Sequence, residues 1–196
     1  MSPESEIDVE KAAESTIFFS RVVIDGESQI HSRINYLALL NLHTDVENTV
    51  QTIKDIVEIE QKNILEDDTF LLLQARNWRF HLVACGVMLA GISSSELLDQ
   101  LWNVLRKGSW VAPQIAATIY ILDPQFDSRA LEAIKQRKLK EQSLVAIAQL
   151  LQQAFNPSFT LKQEALIKSA RVNDRVDSGK IAVSWAEKVR LLFAAA

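Results

Sequence analysis

The chain has 196 residues, of which 48% are hydrophobic and 23% are charged, and this balance is typical of a water-soluble globular protein. Its 5 Gly, 4 Pro and 7% aromatic residues are too few for the regular turns of an all-β fold. A single Cys excludes a disulfide framework and a multi-thiolate metal site, and it suggests a reducing compartment.

Apolar residues recur at helical spacing through most of the chain. Between 44 and 60, for example, Val46, Val50, Ile53 and Val57 form one stripe along a helix. The sequence therefore predicts an all-α protein. In chain order, the predicted helices are 6–22, 28–41, 44–62, 66–75, 78–90, 94–106, 112–122, 127–138, 141–155, 160–171 and 178–194.

Two short patterns predict where individual helices begin and end. Thr44 precedes Glu47 by three residues, which is the capping-box pattern in which each side chain satisfies a backbone N–H at the helix start. Gly108 is typical of a helix end. We therefore expect short helices joined by tight turns.

The sequence matches itself at a spacing of 33 residues. Segment 123–126 reads Asp-Pro-Gln-Phe and segment 156–159 reads Asn-Pro-Ser-Phe, and in the helices that precede them Val111 aligns with Leu144. Because Pro ends a helix and the aromatic residue after it can pack back, each unit is predicted to contain two helices. A chance match between antiparallel helices with similar loops is the alternative.

Two-helix units of this length cannot bury their apolar faces alone, so several would stack into a continuous core. In its helix pairs, 33-residue step and Pro-terminated second helices, the chain from about residue 61 to 196 resembles the HEAT, armadillo and tetratricopeptide repeats. Gln100 and Asn103 stand near places where a tetratricopeptide unit would have Gly and Tyr. The resemblance implies a HEAT-like or armadillo-like superhelix of stacked antiparallel helix pairs in one domain, with an irregular helical bundle as the alternative. The predicted parts are the irregular helices of 1–60 and the units 61–93, 94–126, 127–159 and 160–193.

Charge is divided unevenly along the chain. Residues 1–68 contain 15 Asp and Glu against 5 Lys and Arg, whereas residues 69–196 contain 10 against 16, so the net charges are −10 and +6. This division predicts a surface that can steer a charged partner, although an acidic segment that simply faces solvent would have the same composition. The basic residues are densest at Arg129, Lys135, Arg137, Lys138 and Lys140.

The sequence contains no catalytic signature. The Gly residues are too scattered for a dinucleotide loop or a P-loop, and the His residues form neither His-Glu-x-x-His nor Glu-x-x-His. Cys85 lies in an apolar helix where a small side chain packs well, although His81 on the adjacent turn leaves a nucleophilic role open. We therefore expect a protein that is not an enzyme and that needs no metal or organic cofactor to fold.

The candidate binding residues are aromatic and cationic. Trp110 falls in a predicted turn before Pro113, and Trp102 matches no core position of the repeat. Exposed Trp is a typical interface anchor, although solenoid cores also use Trp, and replacing either residue by Ala is expected to cost about 2 kcal/mol of affinity. The residues predicted to bind a partner, on one side of the central units, are Arg79, Trp102, Arg106, Lys107 and Trp110.

These expectations together indicate a non-enzymatic module that presents a solenoid groove to a protein or peptide. A nucleic-acid-binding repeat protein is the main alternative, in which Asp99 and Trp102 could serve base excision, but a pI of about 5.4 is unusual for a duplex binder. An accessory factor for a pigment- or cofactor-bearing protein is a third possibility.

The sequence also predicts where the protein is found. The acidic N-terminus has no signal-peptide core, and the longest apolar run, 82–92, is shorter than the roughly 18 residues of a bilayer span. We therefore expect a cytoplasmic protein that does not bind membranes.

Overall fold

The structure, a computed structural model, describes residues 3–194. The all-α class is confirmed, since the described residues are mostly helical and contain one small antiparallel sheet. The strands are β1 (Phe19–Ile24) and β2 (Glu27–Ser32). The helices are α1 (Pro3–Glu14), α2 (Tyr36–Asn41), α3 (Val46–Ile59), α4 (Lys62–Gln74), α5 (Trp78–Leu89), α6 (Ser95–Lys107), α7 (Ala112–Leu122), α8 (Phe126–Lys135), α9 (Glu141–Phe155), α10 (Leu161–Asn173) and α11 (Ser178–Ala194).

The predicted helices 6–22 and 28–41 are partly wrong, because residues 19–32 form a β-hairpin in which β1 pairs with β2 along its whole length. Asp25 and Gly26 make the two-residue turn, with φ angles of 52° and 83°. Positive φ at both positions matches the right-handed twist of a hairpin, and Asp-Gly is a favoured pair for it. The Asp-Gly pair, which follows the β-branched residues Val22, Val23 and Ile24, therefore outweighs the helical spacing around it.

The start of α3 also differs from the prediction. Asp45, rather than Thr44, is the N-cap, and its side chain makes no cap hydrogen bond with the helix backbone. Its carboxylate instead accepts a bond from the Asn48 side chain at 2.7 Å. A complete capping box is found at α10, where the Thr160 hydroxyl accepts from the backbone of Gln163 and the Gln163 side chain accepts from the backbone of Thr160.

The chain forms two compact units, and the boundary between them lies at residues 100 and 101, inside α6. Residues 1–100 carry 17 Asp and Glu and 7 Lys and Arg, for a net charge of −10. Residues 101–196 carry 8 and 14, for a net charge of +6. Because residues 69–100 carry two acids and two bases, the acidic and basic halves of the sequence keep the same net charges when they are divided at the fold boundary, which falls inside the predicted 94–126 unit.

In the N-terminal unit, α5 packs against α2, α3 and α4. Residues 80–88 of α5 are all buried, so this helix forms the centre of the core. Gly86 lets neighbouring helices approach closely, since a Cβ at this position would lie 2.8 Å from Ile53 Cδ1 and 3.2 Å from Leu39 Cδ1. Cys85 is buried in the same helix, which fits packing rather than a nucleophilic role.

His81 is buried in α5, and its Nε2 lies 2.7 Å from the Ala75 carbonyl oxygen. Burial lowers the pKa of this imidazole from its ordinary value of 6.5, against smaller opposing effects of the Ala75 hydrogen bond and Glu10. The unfolded chain therefore takes up a proton at a pH where the folded chain does not, and protonation favours unfolding.

We expect the stability that neutral His81 supplies to be complete above about pH 6.5 and to be lost as the pH falls through the lowered pKa of the folded state. Denaturant unfolding at a series of pH values from about 7 to 5 measures this loss. The free energy of unfolding of His81→Gln, whose side-chain amide can still donate toward the Ala75 carbonyl oxygen, should fall less steeply with decreasing pH. Asp68, whose pKa burial raises, is common to both proteins and cancels in the comparison. Equal slopes for the two proteins would contradict the role of His81.

In the C-terminal unit, α7, α9 and α11 pack against one another, and α8 and α10 pack against α9. Gly179 of α11 lies close to α9, since a Cβ at this position would lie 2.9 Å from Gln149 Cβ. In a row of stacked units, α11 would contact α9 but not α7, because each unit contacts only its neighbours. The stacked arrangement of a HEAT-like or armadillo-like superhelix is therefore not confirmed.

The two Phe residues of the 33-residue match occupy different environments. Phe126 is the first residue of α8 and is buried, whereas Phe159 lies in the loop before α10 and is half-buried. The 33-residue spacing therefore does not place its two Phe residues in matching positions between helices. The aligned residues Val111 and Leu144 are both buried, so the repeat predicts burial in these helices but not the packing of the loops that follow.

Candidate interaction surface

Trp102 lies in the core of the C-terminal unit. Its side chain is fully buried, so the prediction that it lies on a partner-binding surface is wrong. The indole Nε1 donates a hydrogen bond to Asp123 Oδ2 at 2.7 Å, and the ring stacks on Phe126 with centroids 6.3 Å apart. The indole is therefore engaged on its faces and at its polar atom.

Two of the basic residues singled out in the sequence belong to this buried cluster. Arg129 forms an ion pair with Asp123 at 3.1 Å, and its guanidinium carbon lies 5.2 Å from the centre of the Trp102 ring. Arg106 is half-buried and lies 5.8 Å from the same ring. Its Nε is buried and has no hydrogen-bond partner among the described residues. Arg106 therefore packs over Trp102, and its Nη1 donates to Asn103 Oδ1 at 3.2 Å.

Asp123 is a buried partner of other side chains, which was not predicted from the sequence. It follows α7 and is buried, and besides contacting Trp102 and Arg129 it accepts a bond from the backbone N–H of Gln125 at 2.8 Å. A position immediately after a helix and before Pro124 indicates a helix end, and nothing in that local pattern points to Trp102, which lies 21 residues earlier.

Trp110, in contrast, lies in the α6–α7 loop and is 64% exposed. The neighbouring Lys107 is exposed at the end of α6. Gly108 takes a φ of +88°, and a Cβ there would lie 3.0 Å from Lys140 Cγ, so the α6–α7 loop lies against the start of α9. A buried hydrogen bond from Ser143 Oγ to the Leu105 carbonyl oxygen, at 2.8 Å, fixes this approach.

The α8–α9 loop, residues 136–140, adds three exposed cations beside the α6–α7 loop. Arg137 N–H donates to Ile134 O and Lys138 N–H donates to Ala133 O, which together form a Schellman motif at the end of α8. Arg137 occupies the left-handed position of this motif with a φ of 55°, where Gly is usual. We call Lys107, Trp110, Arg137, Lys138 and Lys140 the basic loop surface.

Acidic residues near the basic loop surface have their own partners or lie at its edge. The Gln136 amide donates to Glu132, and this hydrogen bond, followed by the charge of Lys135, lowers the pKa of the Glu132 carboxyl. Glu132 also pairs with Lys135 at 3.5 Å. The positive charge of Lys135 is therefore paired with the negative charge of Glu132. Glu141, at the start of α9, is an exposed acid at the edge of the basic loop surface.

Arg79, the remaining predicted binding residue, belongs to the N-terminal unit. It is exposed, and its guanidinium lies 4.9 Å from the centre of the Trp78 ring. Asp99 is also exposed, whereas Trp102 is buried and bonded to Asp123, so the indole is not available to a flipped base. Of the predicted set, Lys107 and Trp110 are both exposed at the α6–α7 loop, which contacts Lys140 of the α8–α9 loop.

Within residues 3–194, no group of three or more His, Cys, Asp and Glu is placed so that it could hold a metal ion. Among the helices of the same residues, none combines the length and the apolar character needed to cross a membrane.

Comparisons with protein-family models, with curated proteins and with solved structures gave no match to this chain.

Proposed function

We propose that the C-terminal unit is a non-enzymatic interaction module and that its basic loop surface binds an acidic segment of a protein partner. The observation that carries the proposal is an exposed Trp, with a relative exposure of 64%, on a loop that contacts Lys140, with three further exposed cations at the same two loops. An indole supplies a large apolar contact with little loss of conformational entropy, and cations around it select a partner of opposite charge.

The left-handed backbone conformation of Arg137 supports a role for this residue in binding. The described residues include six non-glycine residues with positive φ, of which four are Asp or Asn, the residue types that tolerate this region. Leu42, the fifth, is almost fully buried, whereas Arg137 is exposed. A left-handed conformation costs an ordinary residue about 1 kcal/mol, so an exposed Arg where Gly would be unstrained is an observation that favours a binding role.

An acidic protein segment is favoured over nucleic acid as the partner. Long-range attraction of a polyphosphate depends on the field of the whole protein, and the chain carries a net charge of −4 with 17 acids in residues 1–100. A short acidic segment instead responds to the local field, because charges farther away than about 8 Å are screened at physiological salt. Stacking of a nucleobase on Trp110 is the competing interaction, and the experiment below separates the two.

The test uses the full chain and three probes: a short peptide rich in Asp and Glu with one central Leu, the same peptide with Asn and Gln in place of the acids, and oligothymidylate. Binding is measured by calorimetry at low and physiological salt. We expect the acidic peptide to bind and salt to weaken it, and we expect Trp110→Ala to weaken it by about 2 kcal/mol, roughly 30-fold. The thermal midpoint of Trp110→Ala should stay close to that of the unsubstituted protein, because most of the side chain is exposed.

One further variant tests a charge of the basic loop surface, and a second variant serves as its control. Arg137→Gly removes one charge and should weaken the acidic peptide about threefold at low salt, while the relief of the left-handed strain stabilises the fold by about 1 kcal/mol. Lys162→Gln removes an exposed charge from α10, away from the two loops, and should leave binding unchanged. Equal binding of the acidic and amide peptides, or tighter binding of oligothymidylate through Trp110, would overturn the proposal.

A further inference from the structure

The N-terminal unit contains a cavity of about 640 Å³ that the proposed function does not use. Its lining comes from the end of α1, from the strands β1 and β2, from the segment that leads into α2, and from the start of α5. The apolar part of the wall includes Phe19 and Phe80, whose rings pack edge to face with centroids 4.8 Å apart. The remaining wall is mixed, with polar and charged side chains beside apolar ones, and the volume is within the range of small-molecule sites.

Arg79 is held at this cavity by two aromatic rings. Its guanidinium carbon lies 4.9 Å from the centre of the Trp78 ring and 5.5 Å from that of Tyr36, and the two rings meet edge to face at 5.7 Å. Stacking on ring faces fixes the plane of a guanidinium and leaves its N–H groups directed along its edges. The side chain is thereby prepared to bind a planar or tetrahedral anion by two parallel hydrogen bonds.

Basic side chains outnumber acidic ones in the lining of the cavity, although the N-terminal unit as a whole is acidic. Residues 1–100 carry 17 acids and 7 Lys and Arg, yet two of those seven, Arg33 and Arg79, line the cavity together with His31, whereas Glu14 is the acid among its lining residues. Arg33 Nη1 donates to the Ile17 carbonyl oxygen at 2.9 Å, which fixes this second guanidinium. Glu14 lies 3.9 Å from Arg21, which partly offsets its charge.

We propose that this cavity binds a small organic anion, in which a carboxylate or phosphate group pairs with Arg79 and Arg33 and an apolar body lies against Phe19 and Phe80. The two stacked and bonded guanidiniums supply the fork geometry that carboxylates and phosphates share. The site is independent of the basic loop surface, which belongs to the other unit.

The test uses three probes with the same apolar body: 2-naphthoate, 2-naphthyl phosphate and the neutral 2-naphthamide. Calorimetry on the full chain should show binding of one or both anions and at least tenfold weaker binding of the amide, and the two anions distinguish a carboxylate site from a phosphate site. Arg79→Lys keeps the positive charge but lacks the planar fork, and we expect it to weaken the preferred anion tenfold or more.

Lys62→Gln serves as the matched control, because Lys62 is an exposed cation of the same unit on α4 and does not line the cavity. It should bind the anion as the unsubstituted protein does. Equal binding of 2-naphthoate, 2-naphthyl phosphate and 2-naphthamide, or failure of both anions to bind at millimolar concentration, would overturn the proposal without the use of any variant. Unchanged anion affinity in a folded Arg79→Lys protein would also overturn it.

Discussion

Trp102→Ala is expected to lower the free energy of unfolding by about 3–5 kcal/mol, the range observed when a large aromatic is removed from a protein core. Among the described residues, Trp102 is the largest side chain with almost no exposed surface. The substitution leaves a cavity beside Phe126 and removes the N–H that Asp123 accepts. The free-energy cost of lost packing is therefore increased by the cost of leaving a buried Asp123 oxygen without its hydrogen-bond donor.

Equilibrium denaturation in urea, followed by circular dichroism, measures this change. Trp110→Ala is the matched control, since it removes the same side chain from an exposed loop position and should change stability by about 0.5 kcal/mol or less. Trp102→Phe keeps most of the packing and loses the hydrogen bond, so a loss of about 1–3 kcal/mol is expected. Similar losses for the two Ala variants would mean that the burial of Trp102 does not distinguish it from Trp110.

Asp123→Ala is expected to lower the free energy of unfolding by about 3 kcal/mol. The substitution removes three interactions of one buried carboxylate, with the Trp102 indole, the Arg129 guanidinium and the Gln125 backbone. Removing one partner of a fully buried ion pair costs about 3–5 kcal/mol, and we place this case at the lower end because a quarter of the Arg129 side chain remains exposed to water.

Asp123→Asn separates the charge from the hydrogen bonds. Its amide oxygen still accepts from Trp102 or from Gln125 N–H, so a smaller loss than that of Asp123→Ala is expected. A double-mutant cycle with Trp102→Phe and Asp123→Ala, which removes the acceptor altogether, measures the coupling between the indole and the carboxylate, for which we expect about 1 kcal/mol or more. A coupling close to zero would show that the 2.7 Å contact does not contribute to stability.

The helices were predictable from the sequence because their apolar spacing extends over several turns. From residue 46 onward, the observed helices match the predicted ones to within about four residues at either end. The hairpin at 19–32 was missed because each of its strands has six residues, too few for period-two alternation to stand out from helical spacing. Its Asp-Gly turn was present in the sequence and was the decisive pattern.

The candidate site was predictable only in part. The exposure of Trp110 follows from its place in a turn between Gly108 and Pro113, which are local features. The burial of Trp102 depends on Asp123 and Phe126, which come from α8 and the loop before it, and helical spacing does not encode such contacts between distant residues. The cations of the α8–α9 loop were visible as a dense run, but the approach of this loop to the α6–α7 loop depends on the contact between Gly108 and Lys140.

A pI near 5.4 gives an incomplete account of how this protein should behave on charged resins. The average charge at neutral pH predicts retention on an anion exchanger and passage through a cation exchanger. Because the acids are concentrated in residues 1–100 and the bases in residues 101–196, each resin has an oppositely charged unit to bind. A protease cut near the boundary would release two fragments of net charge −10 and +6, which should elute from opposite columns. Purification on both resins in sequence would then select for intact chains.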